Sequence, residues 1–162
     1  MKNCYFIILN LIFLWGCVSV QLPSSKDLRS KNVQFKTPQA PFKDFATTQS
    51  DRAWISEKTG NTISFLSQCG NQNDPSIEQI ENESLSSLSH LVGIKGENFY
   101  FNERNAKFSI HRGVLDGVAV QVALIIFKKN GCDYTLSYGG IEEKFKIEEQ
   151  IFNQFTKNFK IP

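Results

Sequence analysis

The fold of this chain is decided by the stretch VAVQVALIIFKKNGCDYTLSY, which runs from Val118 to Tyr138. Two strand-like runs flank the dipeptide Asn130-Gly131, which favours the type I′ turn of a two-residue β-hairpin. Counting outward from that turn predicts four facing pairs: Lys129–Cys132, Lys128–Asp133, Phe127–Tyr134 and Ile125–Leu136. The apolar and aromatic pairs among them stabilise such a hairpin by about 0.2–1 kcal/mol each.

The two strands of this hairpin differ in their second face. The first strand is apolar on both faces, since its other face carries Val120, Val122, Leu124 and Ile126. The second strand places Asp133, Thr135 and Ser137 on that other face. A strand that is apolar on both sides is covered on both sides. We therefore predict that the first strand is central in its sheet and that the second lies nearer an edge.

Further strands are expected on both sides of this hairpin. Gly60 and Asn61 tolerate the positive φ of a tight turn, and they lie between two short alternating runs. Asp116-Gly117 marks a second turn, just before Val118. The additional strands predicted are Ala53–Glu57, Thr62–Ser67, Asn98–Phe101 and Lys107–His111.

Two helices are predicted to cover the sheet. The first begins with Asp74 as its cap and Pro75 in its first turn, and it continues to Gly93. Its apolar stripe consists of Ile77, Ile80, Leu88 and Leu91, broadened by Leu85 and Val92. The second helix carries Ile151, Phe155 and Phe159 at four-residue spacing, with Glu148 and Glu149 at its start and Lys157 and Lys160 at its end.

The order strands, helix, strands, helix predicts an α+β domain with an antiparallel sheet covered by helices. This order, together with the closing aromatic helix, resembles the layered fold shared by Mog1 and the photosystem protein PsbP. The motifs Thr59-Gly60-Asn61-Thr62-Ile63, Ser67-Gln68-Cys69 and Asn130-Gly131-Cys132-Asp133-Tyr134 are also similar to a group of uncharacterised proteobacterial envelope lipoproteins. Because these motifs are turns and a cysteine pair, the resemblance implies a fold and a binding or assembly role rather than a reaction.

The N-terminus reads as a targeting segment. Lys2 precedes an almost wholly apolar run from Tyr5 to Trp15, which is long enough for a signal-peptide core and too short to span a membrane. The run ends in Leu14-Trp15-Gly16-Cys17, which resembles the lipobox of bacterial lipoproteins, with Cys17 as the lipidated residue. The alternative is a secreted protein that is cut nearby and keeps Cys17 unmodified.

Three parts of the chain are expected. Residues 1–16 are predicted to be a lipoprotein signal peptide, residues 17–45 a lipidated N-terminus with a flexible tether, and residues 46–162 the globular α+β domain. The tether is inferred from its content of Ser, Lys, Gln, Thr and Pro. Phe35, Phe42 and Phe45 leave open the alternative that its later half packs on the domain.

Two cysteines remain in the predicted domain, Cys69 and Cys132. Because an envelope compartment is oxidising, we expect them to form a disulfide. The alternatives are a metal site or a nucleophile, and two cysteines with no histidine near them in sequence form a poor metal site.

Candidate catalytic residues are few. His90 is expected at the end of the first helix and His111 in a strand. Each is interpreted either as a general base or as a structural histidine. Glu142, Glu143, Glu148 and Glu149 read as solvated charges at helix ends. The sequence has no nucleophile elbow, phosphate loop or His-Glu-x-x-His run, so we predict no catalytic residue, no cofactor and no metal.

Two functions follow from these observations. The chain is expected to be a membrane-anchored bacterial lipoprotein of the cell envelope that binds a partner protein, peptidoglycan or a small ligand, without catalysis. The residue after Cys17 is Val18, which favours the outer membrane, with the domain facing the periplasm. The alternative is a lipid-anchored hydrolase with a site formed only on folding. A net charge of +2 without a basic stripe argues against a nucleic acid partner.

Overall fold

The computed structural model describes residues 28–70 and 73–162. The predicted signal peptide, residues 1–16, and Cys17 lie outside the described residues. In chain order the elements are β1 (Phe42–Asp44), β2 (Arg52–Ser56), β3 (Thr62–Cys69), α1 (Ile77–Ser84), β4 (Ser89–Phe101), β5 (Arg104–Leu115), β6 (Val118–Lys129), β7 (Cys132–Ile141), α2 (Glu142–Phe145) and α3 (Glu149–Lys157). Within the described residues, no helix is both long and apolar enough to cross a membrane.

All seven of these strands form one antiparallel sheet in the order β1-β2-β3-β7-β6-β5-β4. The register predicted for the β6–β7 hairpin is confirmed at each of the four pairs, from Lys129–Cys132 to Ile125–Leu136. Asn130 and Gly131 have φ values of 53° and 72°, as a type I′ turn requires. The local turn chemistry therefore sets the register between β6 and β7.

The position of β7 differs from the prediction. β6 is an interior strand, as expected, but β7 is the middle strand of the sheet and not a strand near its edge. Its polar side chains find partners on the neighbouring strands. The Asp133 carboxylate lies 3.2 Å from Lys128 Nζ on β6, and the Ser137 and Ser64 hydroxyls are 2.6 Å apart across β3. Because these groups are paired, their burial carries little penalty.

One face of the sheet carries an aromatic core that α3 and the N-terminal segment cover. Phe127 and Tyr134 stack with ring centroids 4.9 Å apart, and Tyr138 stacks on Phe152 of α3 at 5.6 Å. Such pairs contribute about 0.5–1.5 kcal/mol each beyond the area that they bury. The closing helix therefore has the role that its aromatic spacing predicted.

The other face is covered by α1, which is shorter than predicted. Ser76, not Asp74, caps it with a complete capping box to Gln79, and it ends at Ser84 instead of continuing to Gly93. The residues expected in its second half form a turn and then β4. Serines favour helices weakly, and pairing with β5 over a long register outweighs that weak preference. His90 consequently lies in a strand and not at a helix end.

The N-terminal segment packs on the domain. Phe35 lies 5.1 Å from Phe65 and 5.6 Å from Trp54 between ring centroids, and Gln34 pairs with Lys160 through backbone hydrogen bonds. Phe42 of β1 is buried. The boundary predicted at residue 46 is therefore wrong, and the domain extends to residue 28 at least. The free energy gained by burying these rings outweighs the conformational entropy that the segment would keep as a free chain.

Candidate functional site

Cys69 and Cys132 form a disulfide, as expected. They lie directly opposite each other at the last residue of β3 and the first residue of β7. The bond joins two adjacent strands at one end of the sheet, which we call the disulfide end. Both cysteines of the described chain are thus used for structure.

The two histidines lie on different strands. His90 is exposed in the edge strand β4 and has a φ of 51°. His111 lies on β5 with its side chain 15% exposed, facing α1. The structure does not bring the two together in one site, so each is assessed by its own neighbours.

His111 belongs to a small charged cluster under α1. Its Nε2 lies 3.1 Å from Oε1 of Glu81 on α1, and Lys107 Nζ lies 2.7 Å from the other carboxylate oxygen. Burial raises the pKa of Glu81, but the hydrogen bonds with Lys107 and His111 and the charge of Lys107 outweigh it and lower the pKa below its ordinary value. Glu81 therefore carries a charge that holds α1 against β5.

This cluster has limited means for catalysis. Both oxygens of Glu81 are engaged, and Nδ1 of His111 is buried and finds no hydrogen-bond partner among the described residues. A general base needs open space beside it for the substrate group whose proton it abstracts. Neither Glu81 nor His111 lines the cavities described below.

A second polar cluster, centred on Glu148, is buried at the opposite end of the sheet from the disulfide. Glu148 is only 3% exposed, although its sequence context predicted a solvated charge at a helix start. Its carboxylate accepts hydrogen bonds from the Ser56 hydroxyl at 2.7 Å, from the Thr59 hydroxyl and from Asn61 Nδ2 at 3.3 Å. The prediction of a surface charge is therefore wrong, because the β2–β3 turn supplies donors for the carboxylate.

Two further residues complete this Glu148 cluster. Asn61 Nδ2 also donates to the Tyr138 hydroxyl at 2.9 Å and to the Lys144 carbonyl at 3.0 Å. Burial, together with the Glu148 charge, raises the pKa of Tyr138, so the phenol stays protonated. The motif Thr59-Gly60-Asn61 thus ties the β2–β3 turn to the segment between α2 and α3. Sequence reasoning identified the turn but not the buried carboxylate that it binds.

The sheet also has an exposed apolar end, which we call the apolar tip: Leu115, Val118, Val120 and Ile141. Leu115 pairs with Val118, and Val120 pairs with Ile141, so all four side chains lie on the face that α1 covers elsewhere. Leu115, Val118 and Ile141 are 41%, 46% and 41% exposed. Leu88, which follows α1, packs over Gly113 of β5. The sheet face beyond Gly113 is not covered by this region.

The edge strand β4 carries further exposed apolar side chains. Leu91, Val92 and Ile94 are about half exposed, at 43%, 48% and 52%, and β4 pairs only with β5 in the described sheet. Register shifts between Ser89 and Val92, and again between Gly93 and Lys95, make this edge irregular. Bulges of this kind protect an edge from unselective pairing.

The apolar tip lies far from the N-terminus of the described domain. Leu28 accepts a backbone hydrogen bond from Cys69, so the chain enters at the disulfide end. Cys132 pairs with Lys129 at the end of β6, whereas Val118 begins β6. At 3.4 Å per residue, β6 separates the two ends by about 37 Å.

Other described residues form several surface cavities, of which three are large. The first, of about 610 Å³, lies between the N-terminal segment and the β1–β2 loop and includes Arg29, Lys31 and Arg52. The second, of about 540 Å³, borders the β6–β7 turn. The third, of about 680 Å³, lies between Asn102 and the C-terminus. Among the described residues, no cluster of three or more metal-ligating side chains is present.

Comparison with known proteins identifies the fold but not a family. No protein-family model and no curated protein matches the chain. LpqN of Mycobacterium tuberculosis, described as involved in cell envelope biogenesis, superposes with a TM-score of 0.62 at 11% identity, over 82% of this chain and 84% of LpqN. Cyanobacterial PsbP from Synechocystis sp. PCC 6803 gives 0.53 at 8% identity, over 81% and 93%.

A third structure, the Pseudomonas aeruginosa protein PA94 of unknown function, gives a TM-score of 0.52 at 13% identity, over 87% of this chain and 88% of that one. At these identities the similarity concerns the fold alone. The protein is an α+β domain with a Mog1/PsbP-like fold, as the element order predicted.

Proposed function

We propose that this protein is a lipid-anchored factor of the bacterial cell envelope that binds a partner protein through the apolar tip and performs no catalysis. The observation that carries the proposal is the apolar tip, in which Leu115, Val118 and Ile141 are exposed beside the half-buried Val120. Contiguous exposed apolar surface on a soluble domain is typical of an interaction site.

The envelope location rests on three observations. The run from Tyr5 to Trp15 has the length of a signal-peptide core, and Leu14 to Cys17 resembles a lipobox. The Cys69–Cys132 disulfide suits an oxidising compartment. LpqN, which shares the fold, is described as involved in cell envelope biogenesis. We place the anchor on the outer membrane, with the domain facing the periplasm.

Lipidation is tested by metabolic labelling. Radiolabelled palmitate should enter the wild-type protein in growing cells and should not enter the Cys17→Ser variant. A Cys4→Ser variant is the matched control and should be labelled like the wild type. Equal labelling of Cys17→Ser and the wild type would overturn the assignment of Cys17.

The direction of the apolar tip fits a partner beyond the anchoring membrane. The chain leaves the domain at Leu28, at the disulfide end, and the tip lies about 37 Å away along β6. A domain held by its N-terminus therefore presents the tip to the periplasm. The partner favoured by an aliphatic patch is another protein, since peptidoglycan offers mostly polar groups to bind.

The binding role is tested by charge substitution at the tip. Leu115→Glu with Val118→Glu should abolish complementation of a deletion phenotype while the protein stays folded and at normal level, because two buried charges would oppose the apolar contact. The control pair is Gln150→Glu with Asn153→Glu, both exposed on α3. Full complementation by the tip variant would reject the proposal, as would equal loss in both variants.

A hydrolase is the second candidate, because Glu81 lies 3.1 Å from His111 and could orient it as a base. This reading predicts that His111→Ala abolishes complementation without lowering the protein level. The binding proposal predicts full complementation by His111→Ala and by His90→Ala. The His111 side chain is only 15% exposed and contacts Glu81, which leaves little room for a substrate and favours the binding proposal.

A further inference from the structure

The cavity between the N-terminal segment and the β1–β2 loop has two chemically different parts. Its inner wall is apolar and is formed by Val33, Phe35 and Phe65. Phe65 is buried, and its ring packs edge-on against Phe35 at 5.1 Å, so the wall is continuous with the aromatic core. An apolar wall of this kind favours a ligand with an apolar body.

The outer part of the cavity is cationic. Arg29, Lys31 and Arg52 line it, against a single carboxylate, that of Asp51. Arg29 is already paired with Asp51 at 2.9 Å, which leaves Lys31 and Arg52 as the available cations. Lys31 has no carboxylate partner within the described residues, and Arg52 lies 4.0 Å from Asp44, with both side chains more than half exposed.

Hydroxyl groups also line the cavity. Thr47, Thr48 and Ser50 line the cavity from the β1–β2 loop. The position of this loop is fixed from below, because the Asp51 carboxylate accepts hydrogen bonds from the backbone and the hydroxyl of Ser67 at 3.1 and 2.5 Å. The polar side of the cavity is therefore built on an anchored loop.

We propose that this cavity binds a small molecule with one apolar chain or ring and an anionic head, such as a carboxylate or a phosphate monoester. The apolar part lies against Phe35 and Phe65, and the anionic head lies between Lys31 and Arg52, where the hydroxyls of the β1–β2 loop donate to it. The volume of about 610 Å³ suits one small ligand and favours a single-chain amphiphile over a two-chain lipid.

This site is independent of the proposed partner binding. The cavity borders the N-terminal segment near Leu28, whereas the apolar tip lies at the other end of the sheet. A variant of the tip should therefore leave ligand binding unchanged, and failure of one proposal leaves the other standing.

The test is photocrosslinking of the full-length chain in isolated membranes of cells that express it. The probe is a fatty acid that carries a diazirine and an alkyne, and the labelled peptides are mapped by mass spectrometry. We expect labelling within residues 29–35 and 47–52. Lys31→Glu with Arg52→Glu should lower this labelling about tenfold, since two reversed charges remove about 1–2 kcal/mol of binding.

Two controls separate this site from general attraction to lipid. Lys43→Glu with Lys58→Glu changes the net charge equally at exposed positions outside the cavity lining and should label like the wild type. Thr48→Trp fills the mouth of the cavity without changing charge and should also reduce labelling. An alkylamine probe should label the cavity weakly, because its head is cationic.

The proposal is overturned by any of three results. One is labelling that neither the charge variant nor Thr48→Trp reduces. Another is equal labelling by the fatty acid and alkylamine probes. The third is stronger labelling of the cavity by a two-chain phospholipid probe than by the single-chain probe, which would assign the site to the bilayer itself.

Discussion

The Glu148 carboxylate accepts a hydrogen bond from the Ser56 hydroxyl at 2.7 Å, across 92 residues of sequence. This contact joins the start of α3 to the end of β2, the strand that precedes the β2–β3 turn. The Ser56 hydroxyl also accepts hydrogen bonds from the backbone amides of Lys58 and Thr59 in that turn. One buried carboxylate therefore fixes the turn and the helix relative to each other.

Removal of this carboxylate should destabilise the domain. Glu148→Ala leaves the donors of Ser56, Thr59 and Asn61 without their acceptor, so we expect a loss of about 2–4 kcal/mol in the free energy of unfolding. Urea denaturation measures this loss. Glu143→Ala, at an exposed position in α2, should change stability by less than about 0.5 kcal/mol. Equal effects of the two substitutions would contradict the buried network.

Two neighbouring glycines in β7 should respond differently to alanine. A Cβ at Gly140 would lie 1.8 Å from Asn61 Oδ1, whereas a Cβ at Gly139 meets its nearest atom at 3.6 Å. Because Asn61 is pinned by three hydrogen bonds, Gly140→Ala should cost about 1–3 kcal/mol and lower the thermal midpoint. Gly139→Ala should be nearly neutral. Comparable melting curves for the two variants would show that Asn61 moves freely.

Acid should weaken the contact between α1 and β5. The folded pKa of Glu81 is lower than its ordinary value of 4.5, so the unfolded chain binds the extra proton first. The stability contributed by Glu81 is fully present above pH 4.5 and is lost as the pH falls through the folded pKa. Urea midpoints between pH 3 and pH 7 should therefore fall less steeply in Glu81→Gln than in the wild type. Glu97→Gln, on the exposed β4, should keep the wild-type slope, and identical slopes in all three proteins would contradict this role of Glu81.

Loss of the disulfide should be costly. The Cys69–Cys132 bond closes a loop across a sequence separation of 63 residues, for which chain entropy predicts about 4 kcal/mol of stabilisation. Cys69→Ser with Cys132→Ser should lower the urea midpoint accordingly, and a reductant should then have no further effect on the double variant. An unchanged midpoint would mean that the paired strands alone hold this end of the sheet.

The parts of the fold that depend on local chemistry could be predicted from the sequence. Asn130-Gly131 defines a turn whose register follows by counting, and the four-residue spacing of Ile151 and Phe155 defines a helix face. Phe159, predicted to lie in the same helix, follows its end at Lys157. The helix predicted to Gly93 failed because its second half pairs with β5, a partner some 20 residues further along the chain. The hydrophobic periodicity of a short sequence window carries no information about a pairing strand that lies elsewhere in the chain.

The candidate sites could not be predicted for the same reason. Glu148 reads as a surface charge, since its hydrogen-bond partners lie 87 to 92 residues away. The apolar tip arises because α1 ends early, and the cavity at Lys31 exists because the N-terminal segment packs rather than remaining free. Both follow from element lengths that only the folded structure determines.

The entry of the chain at the disulfide end determines how the domain bears a load. With the anchor and partner that we propose, one force would act at Leu28, whose carbonyl accepts a hydrogen bond from Cys69, and the opposing force would act on β5, β6 and β7 at the apolar tip. Such a force runs along the strands, perpendicular to their hydrogen bonds. Within the sheet, this force would shear many bonds together instead of unzipping them singly, and the Cys69–Cys132 bond would join β3 covalently to β7 under that load. Under the proposed function, the domain would therefore act as a mechanical link that resists tension between the membrane and the partner.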